Sequence, residues 1–213
     1  MRSVKPDTRT AFQSVLAKLQ AFGFLLESDQ KLPSVCSLIT GEPLRSSWWS
    51  HPKAGTIFQV NEQLEEHPDV LITKLLSGKV TFVHRELWPH LLVIGNSRHR
   101  WQMDDLTKDG KTLLKLVDAA GAVRTDQLPE RNSMKAKVGD VARDLERKLL
   151  VVSQQVHTET GSHAKIIESW KHWQKRVRIS ASGISKRTAQ NNFEERVRQL
   201  NEEFGASARL PWN

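Results

Sequence analysis

A chain of 213 residues with 38% hydrophobic and 26% charged content is long enough to bury a sizeable core, and its composition is that of an ordinary globular protein. Thirty-two Lys and Arg against 24 Asp and Glu leave a net charge of +8, which points to nucleic acid or another anionic surface as the partner class. A single cysteine, Cys36, excludes an internal disulfide; with no apolar leader in MRSVKPDTRTAF and no run of about 18 apolar residues, the expectation is a cytoplasmic protein without a membrane span.

Residues Asp7 to Phe22 read as an opening helix, with Phe12, Val15, Leu16, Leu19 and Phe22 at helical spacing and Gly23 as its stop. An apolar piece from Leu32 to Ile39 leads through Gly41, Glu42 and Pro43 into the loop Ser46 to Lys53. Pro52 then opens a second helix carrying Ile57, Phe58, Asn61 and Leu64, which ends before His67 and Pro68.

The densest β-forming stretch is Asp69 to Trp88, and Ser77 with Gly78 supplies a two-residue turn with glycine second. Counting outward from that turn pairs Leu76 with Lys79, Leu75 with Val80, Lys74 with Thr81, Thr73 with Phe82, Ile72 with Val83 and Leu71 with His84. This register gives one apolar face and a second face on which Lys74, Lys79 and Arg85 stand ready for an anionic polymer. A helix from Glu86 to Ile94 follows, with Pro89 in its first turn and Gly95 as its stop. The basic connection Asn96 to Trp101 closes the first region.

Lys111 to Ala120 is a helix closed by Gly121, Thr125 is an N-cap for a short helix through Leu128, and Lys135 to Leu149 is a third helix with Val138, Val141, Ala142, Leu145 and Leu149 on its apolar side. A strand from Leu150 to Thr158, a turn at Glu159 to Gly161 and a return from Ser162 to Ile167 complete the pattern of a winged helix-turn-helix. In such folds the third helix lies in the major groove. Its wet side offers Lys135, Lys137, Arg143 and Arg147 to nucleic acid, mixed with Asp140 and Asp144; the alternative is an exposed face of compensating charges.

Between Ser169 and Asn192 there is no acidic residue, while Lys171, Lys175, Arg176 and Arg178 alternate with Trp170 and Trp173. That run suits phosphate contact with base stacking; the alternative makes Trp170, Trp173 and Val177 the buried stripe of a helix. Ile179 to Ser185 is a linker, and Thr188 to Phe204 is a last helix that packs on the body or on a partner.

The composition holds seven Trp and no Tyr. The loop Ser46 to Lys53 collects Trp48, Trp49, His51 and Lys53. An enzyme that works on a base holds it out of the stack with a wedge and an aromatic platform, which either Trp48 or Trp49 can supply; His51 is suited to proton transfer, and Lys53 to holding a phosphate or attacking a sugar. A hydrolytic glycosylase also needs a carboxylate, for which Glu42 is the first candidate and Asp69 the second. The competing reading has both tryptophans filling the gap between helix and hairpin while His51 caps the next helix. No paired Cys and no His-Glu-x-x-His is present, so neither a metal nor another cofactor is expected.

The segments SWWSHPK at Ser47 to Lys53, KLLSGKVTFVHRELWP at Lys74 to Pro89 and ERKLLVVSQQVHTETGSHAK at Glu146 to Lys165 together resemble an uncharacterised bacterial family, over most of the chain. The second half also resembles the winged-helix modules of bacterial DNA glycosylases that unhook crosslinks and remove alkylated bases. Those enzymes use a Gln-apolar-Gln motif, whereas this chain has Ser153, Gln154 and Gln155, so the resemblance implies DNA binding and carries over no catalytic residue.

The expected fold class is α+β, mainly helical, with a β-hairpin domain over residues 1–100, a winged helix-turn-helix over 101–178 and a linker with a C-terminal helix over 179–213. The expected function is binding of duplex DNA, with glycosylase-like action on damaged or modified bases. The rivals are a non-catalytic winged-helix regulator or architectural protein and an RNA-binding factor, with single-stranded nucleic acid as a further expected partner.

Overall fold

The computed structural model describes residues 6–44, 46–128, 134–157 and 163–213, and these form an α+β fold. The chain divides into two compact units, Met1–Trp88 with Phe193–Leu210, and Pro89–Asn192 with Pro211–Asn213.

In the first unit, α1 (Pro6–Phe22) ends at Gly23, whose φ of +80° turns the chain directly into β1 (Phe24–Leu26). Helix α2 (Val35–Thr40) is capped by Ser34, α3 (Ala54–Glu66) follows a 3-10 turn at Trp48–Ser50, and β2 (Val70–Thr73) and β3 (Thr81–His84) complete an antiparallel sheet in the order β1-β3-β2. Strand β1 is only three residues long, too short to give an alternation signal in the sequence.

The hairpin differs from its expected register by one residue: Thr73 faces Thr81, Ile72 faces Phe82, Leu71 faces Val83 and Val70 faces His84. The tight turn itself is as expected, with Lys79 N–H donating to the Leu76 carbonyl at 2.9 Å and positive φ at Ser77 and Gly78. Between turn and ladder one extra residue is accommodated. Two residues, Lys74 and Leu75, separate Thr73 from the turn on one strand, whereas Val80 alone separates Thr81 from it on the other. The buried Thr81 hydroxyl bridges the gap, accepting the Leu76 N–H at 3.2 Å and donating to the Lys79 carbonyl at 2.9 Å.

The corrected register also changes what lies on each face. Leu25, Ile72 and Phe82 face a core built by Val15 and Leu19 of α1, Val35 and Ile39 of α2, and Ile57, Val60 and Leu64 of α3. The opposite face carries Phe24, Leu71 and Val83, all buried, and Phe193 stacks on Phe24 at 6.5 Å. That face is therefore covered by the second part of α9 (Lys186–Phe204) instead of presenting a row of cations. Arg196 adds a bond to the Phe22 carbonyl and an ion pair with Glu86.

Helix α4 (Trp88–Asn96) runs through Gly95, the expected stop. In the second unit Gly95 is a packing site, since a Cβ there would meet the Trp170 indole at 2.2 Å. Helices α5 (Arg100–Met103) and α6 (Lys108–Ala120) lead to β4 (Ala122–Arg124), then α7 (Val138–Arg147), β5 (Val152–His157), β6 (His163–Glu168) and α8 (Trp170–Val177), with the three strands antiparallel in the order β4-β6-β5. Leu113, Leu114 and Val117 of α6 pack on Val138, Val141 and Leu145 of α7 and on Ile167 of β6.

The short helix expected from Thr125 to Leu128 is replaced by a turn whose first residue bonds to the sheet. Thr125 N–H donates to the Lys165 carbonyl at 2.9 Å and its hydroxyl accepts the Lys165 N–H at 2.9 Å, so the residue read as a helix cap is spent on the ladder. The expected turn at Glu159 to Gly161 lies outside the described residues.

Candidate functional site

Short local elements position the loop residues singled out above. The 3-10 turn Trp48–Ser50 buries Trp48 in the core, and Trp49 stacks on it with ring centroids 4.0 Å apart and planes inclined by 22°. Trp49 itself is 64% exposed and leans on the half-exposed Phe58 of α3 at 5.9 Å. The two tryptophans thus divide the two readings between them. One is packing, and it holds the other as a fixed aromatic step in solvent.

His51 accepts the Lys53 N–H on Nδ1 at 3.1 Å, and Lys53 Nζ donates to the Ile39 carbonyl at 2.7 Å, at the C-terminal end of α2. Glu42 is exposed, three residues beyond that carbonyl. Glu42, His51 and Lys53 therefore share the neighbourhood where α2 ends and α3 begins. Asp69 lies past the other end of α3, about 20 Å along a helix of 13 residues, and pairs with Arg85 at 3.2 Å.

A cavity of about 400 Å³ opens in the first unit over Leu26, Leu32 and Leu44, with Asp29, Ser46 and Lys79 on its walls. Asp29 accepts the N–H groups of Lys31 and Leu32 on one oxygen at 2.8 and 2.9 Å, and the Lys79 ammonium on the other at 2.6 Å. Burial alone would raise this carboxyl; the Lys79 bond and the two backbone bonds outweigh it and hold Asp29 below its ordinary value. Glu27 moves the opposite way, raised by its burial with the Lys74 charge pulling it back. Of the hairpin cations, Lys79 and Arg85 are ion-paired and Lys74 sits in the field of Glu27. The Cys36 thiol is buried and pushed up to about 11, mainly by desolvation, as an inert core thiol would be.

In the second unit Lys135, Lys137 and Arg147 are exposed, while Arg143 pairs with Asp140 at 2.8 Å. On α8, Lys171 and Lys175 are exposed, and Arg178 is exposed at its left-handed C-cap. Arg176 grips the buried Glu168 through two bonds at 3.1 and 2.7 Å, and this bonding raises its already high pKa. His172 Nδ1 meets the same carboxylate at 2.7 Å. Trp170 and Trp173 are both 2% exposed, and the Trp170 N–H donates to the Leu149 carbonyl at 2.8 Å, so the burial alternative holds for this stripe and neither indole is open to a base.

A family model described as AlkZ related matches residues 10–208. The chain belongs to the AlkZ-related family. The match runs through both units, whereas no curated protein and no solved structure matches the chain. In this AlkZ-related chain the sequence reading overlooked Asp29, the partner of Lys79, and the carboxylates Glu146 and Glu168, buried beneath Lys165 and Arg176. Asp29 carried one local signal, its position two residues before Lys31, where an Asp side chain folds back on the following N–H groups. Among the described residues no group of three or more His, Cys, Asp or Glu is arranged to hold a metal ion, and no helix is long and apolar enough to cross a membrane.

Proposed function

We propose that this AlkZ-related chain is a DNA-binding protein of DNA repair, with a winged helix-turn-helix in its second unit and a glycosylase-like, base-processing site in its first. The observation that carries the reading is the element order α6, β4, α7, β5, β6 with the sheet in the order β4-β6-β5, which matches a winged helix in its first helix, its three strands and the helix ahead of a two-stranded wing, while the described residues between β4 and α7 hold no helix. Exposed Lys135, Lys137 and Arg147 around α7 and Lys171, Lys175 and Arg178 around α8 supply cations for phosphates, with Arg143 and Arg176 released from their carboxylate partners where DNA competes.

Support for base processing comes from the first unit. The loop that carries Glu42 and leads into Trp48 walls the cavity through Leu44 and Ser46. Its volume is in the range of small-ligand sites, and Trp49 stands as an aromatic step on the same loop. Within this reading Trp49 holds the neighbouring stack, Lys53 and Lys79 face the backbone, and Glu42 is better placed than Asp69 to steady a sugar cation, with His51 moving the proton. Incubation with duplexes holding uracil, hypoxanthine, alkylated bases or abasic sites, followed by alkali, should break the strand at one of them. Loss of that product in Glu42→Gln places the chemistry, and no product from any duplex ends the catalytic claim.

A second reading, a non-catalytic DNA-binding protein, is favoured by the bonds that engage Lys53 with the Ile39 carbonyl and with His51. Selection of bound duplexes from a random pool separates the two: a regulator enriches one defined site, and a repair enzyme does not.

A further inference from the structure

The wet face of α6 carries Lys108, Lys111 and Lys115, spaced three and four residues apart and all exposed, directly away from the buried Gly110, Leu113, Leu114 and Val117. The helix carries two carboxylates, both engaged: Asp109 accepts the Ala136 N–H at 2.9 Å, and Asp118, which shares the lysine face three residues after Lys115, pairs with Arg98 at 2.6 Å, so no carboxylate stands on that face between Lys108 and Lys115. The Asp109 bond has a second effect. It ties the segment ahead of α7, with exposed Lys135 and Lys137 on either side of Ala136, to the first turn of α6, which also carries Lys108. Exposed Asp105, on the approach to the helix, and Asp104, paired with Arg100, mark the acidic edge of this patch.

This placement runs against helix stability. Lys108 and Lys111 stand in the first turns, the positive end of the helix dipole, and the pairs Lys108–Lys111 and Lys111–Lys115 are like charges at contact spacing. An anion lying along the face would relieve both. The outward face of α7 is different in kind, since Arg143 is matched by Asp140. We propose that the outer face of α6, extended by Lys135 and Lys137, is a phosphate-contact surface that holds the backbone of duplex DNA. The proposal rests on the DNA-binding reading above and assigns contacts to α6, which that reading leaves unused.

The test is the salt dependence of affinity for a random-sequence duplex, read by fluorescence anisotropy between 50 and 200 mM salt, with circular dichroism to check folding. Each phosphate contact contributes about 0.9 to the slope of log affinity against log salt. The triple variant Lys108→Gln, Lys111→Gln, Lys115→Gln should flatten the slope by about 2.7, so that the loss of affinity across this range shrinks about fortyfold. The triple Lys→Arg variant should keep the wild-type slope. Should the triple Gln variant not fold, the single variants are each expected to remove about 0.9. A wild type that binds while the Gln variants keep its slope overturns the α6 surface and leaves the general reading standing. A wild type that does not bind duplex DNA overturns both.

Discussion

Lys79 Nζ lies 2.6 Å from Asp29 Oδ2, so the hairpin turn and the loop after β1 are joined by an ion pair whose carboxylate is largely buried and whose ammonium is half exposed. Because Asp29 also accepts two backbone N–H bonds, its removal leaves three donors without an acceptor. Asp29→Ala is expected to destabilise the protein by about 2 kcal/mol in urea unfolding, more than a surface ion pair alone would account for. The sign with pH follows from the lowered value: the contribution is fully present above the ordinary value of 3.8 and is lost as pH falls below it toward the folded-state value. Glu27, raised by burial, has the opposite sign, its contribution present in acid and lost as pH rises through its folded-state value. Stability of Asp29→Asn should therefore fall less than that of the wild type on acidification below 3.8, and parallel curves would remove Asp29 from this role.

Gly95 and Gly55 are both helical glycines with opposite surroundings. A Cβ on Gly95 would meet the Trp170 ring at 2.2 Å, and one on Gly55 would meet nothing within 4 Å. Gly95→Ala should cost about 3 kcal/mol, because the indole is anchored by its bond to Leu149 and cannot step aside. Gly55→Ala should gain about 0.5 kcal/mol from helix propensity. Thermal unfolding of the two variants checks both signs.

Phe193 is fully buried against Phe24 and covers the sheet face opposite α1 to α3. Phe193→Ala is expected to cost about 4 kcal/mol. A chain cut before Phe193 should expose Phe24, Leu71 and Val83 together and bind a hydrophobic dye; a truncated chain that stays monomeric and dye-free would mean that this face needs no cover.

Trp49 and Trp48 separate function from stability. Trp48→Ala should cost about 4 kcal/mol, as expected for a buried indole. Trp49→Ala should leave the unfolding midpoint almost unmoved, because most of its ring is already in water. On the proposed reading it should lower affinity for a duplex with one unpaired base about tenfold and leave affinity for a fully paired duplex unchanged. Equal affinities for both duplexes in wild type and variant would remove the stacking role.

The elements with a strong period were legible from residues alone. The apolar stripes of α1, α3, α6 and α7 and the Ser77-Gly78 turn were readable because each depends on residues within one or two turns of one another. Charge was legible as a total and as the acid-free run from Ser169 to Asn192, and the resemblance of its segments led toward the family to which the chain belongs. What depends on partners far along the chain was not legible. The ladder register turned on one extra residue between Thr73 and the turn, which the Thr81 hydroxyl bridges by accepting the Leu76 N–H. Whether the second face of the hairpin was wet turned on a helix more than a hundred residues later. Whether a cation was available turned on Asp29, Asp69 and Glu168, which pair with Lys79, Arg85 and Arg176 only after folding. Composition and local spacing determined that this is a basic α+β protein of helices and short sheets; tertiary packing decided which tryptophan meets solvent and which lysines remain to meet an anion, because burial and pairing belong to neighbours in space and not to neighbours in the chain.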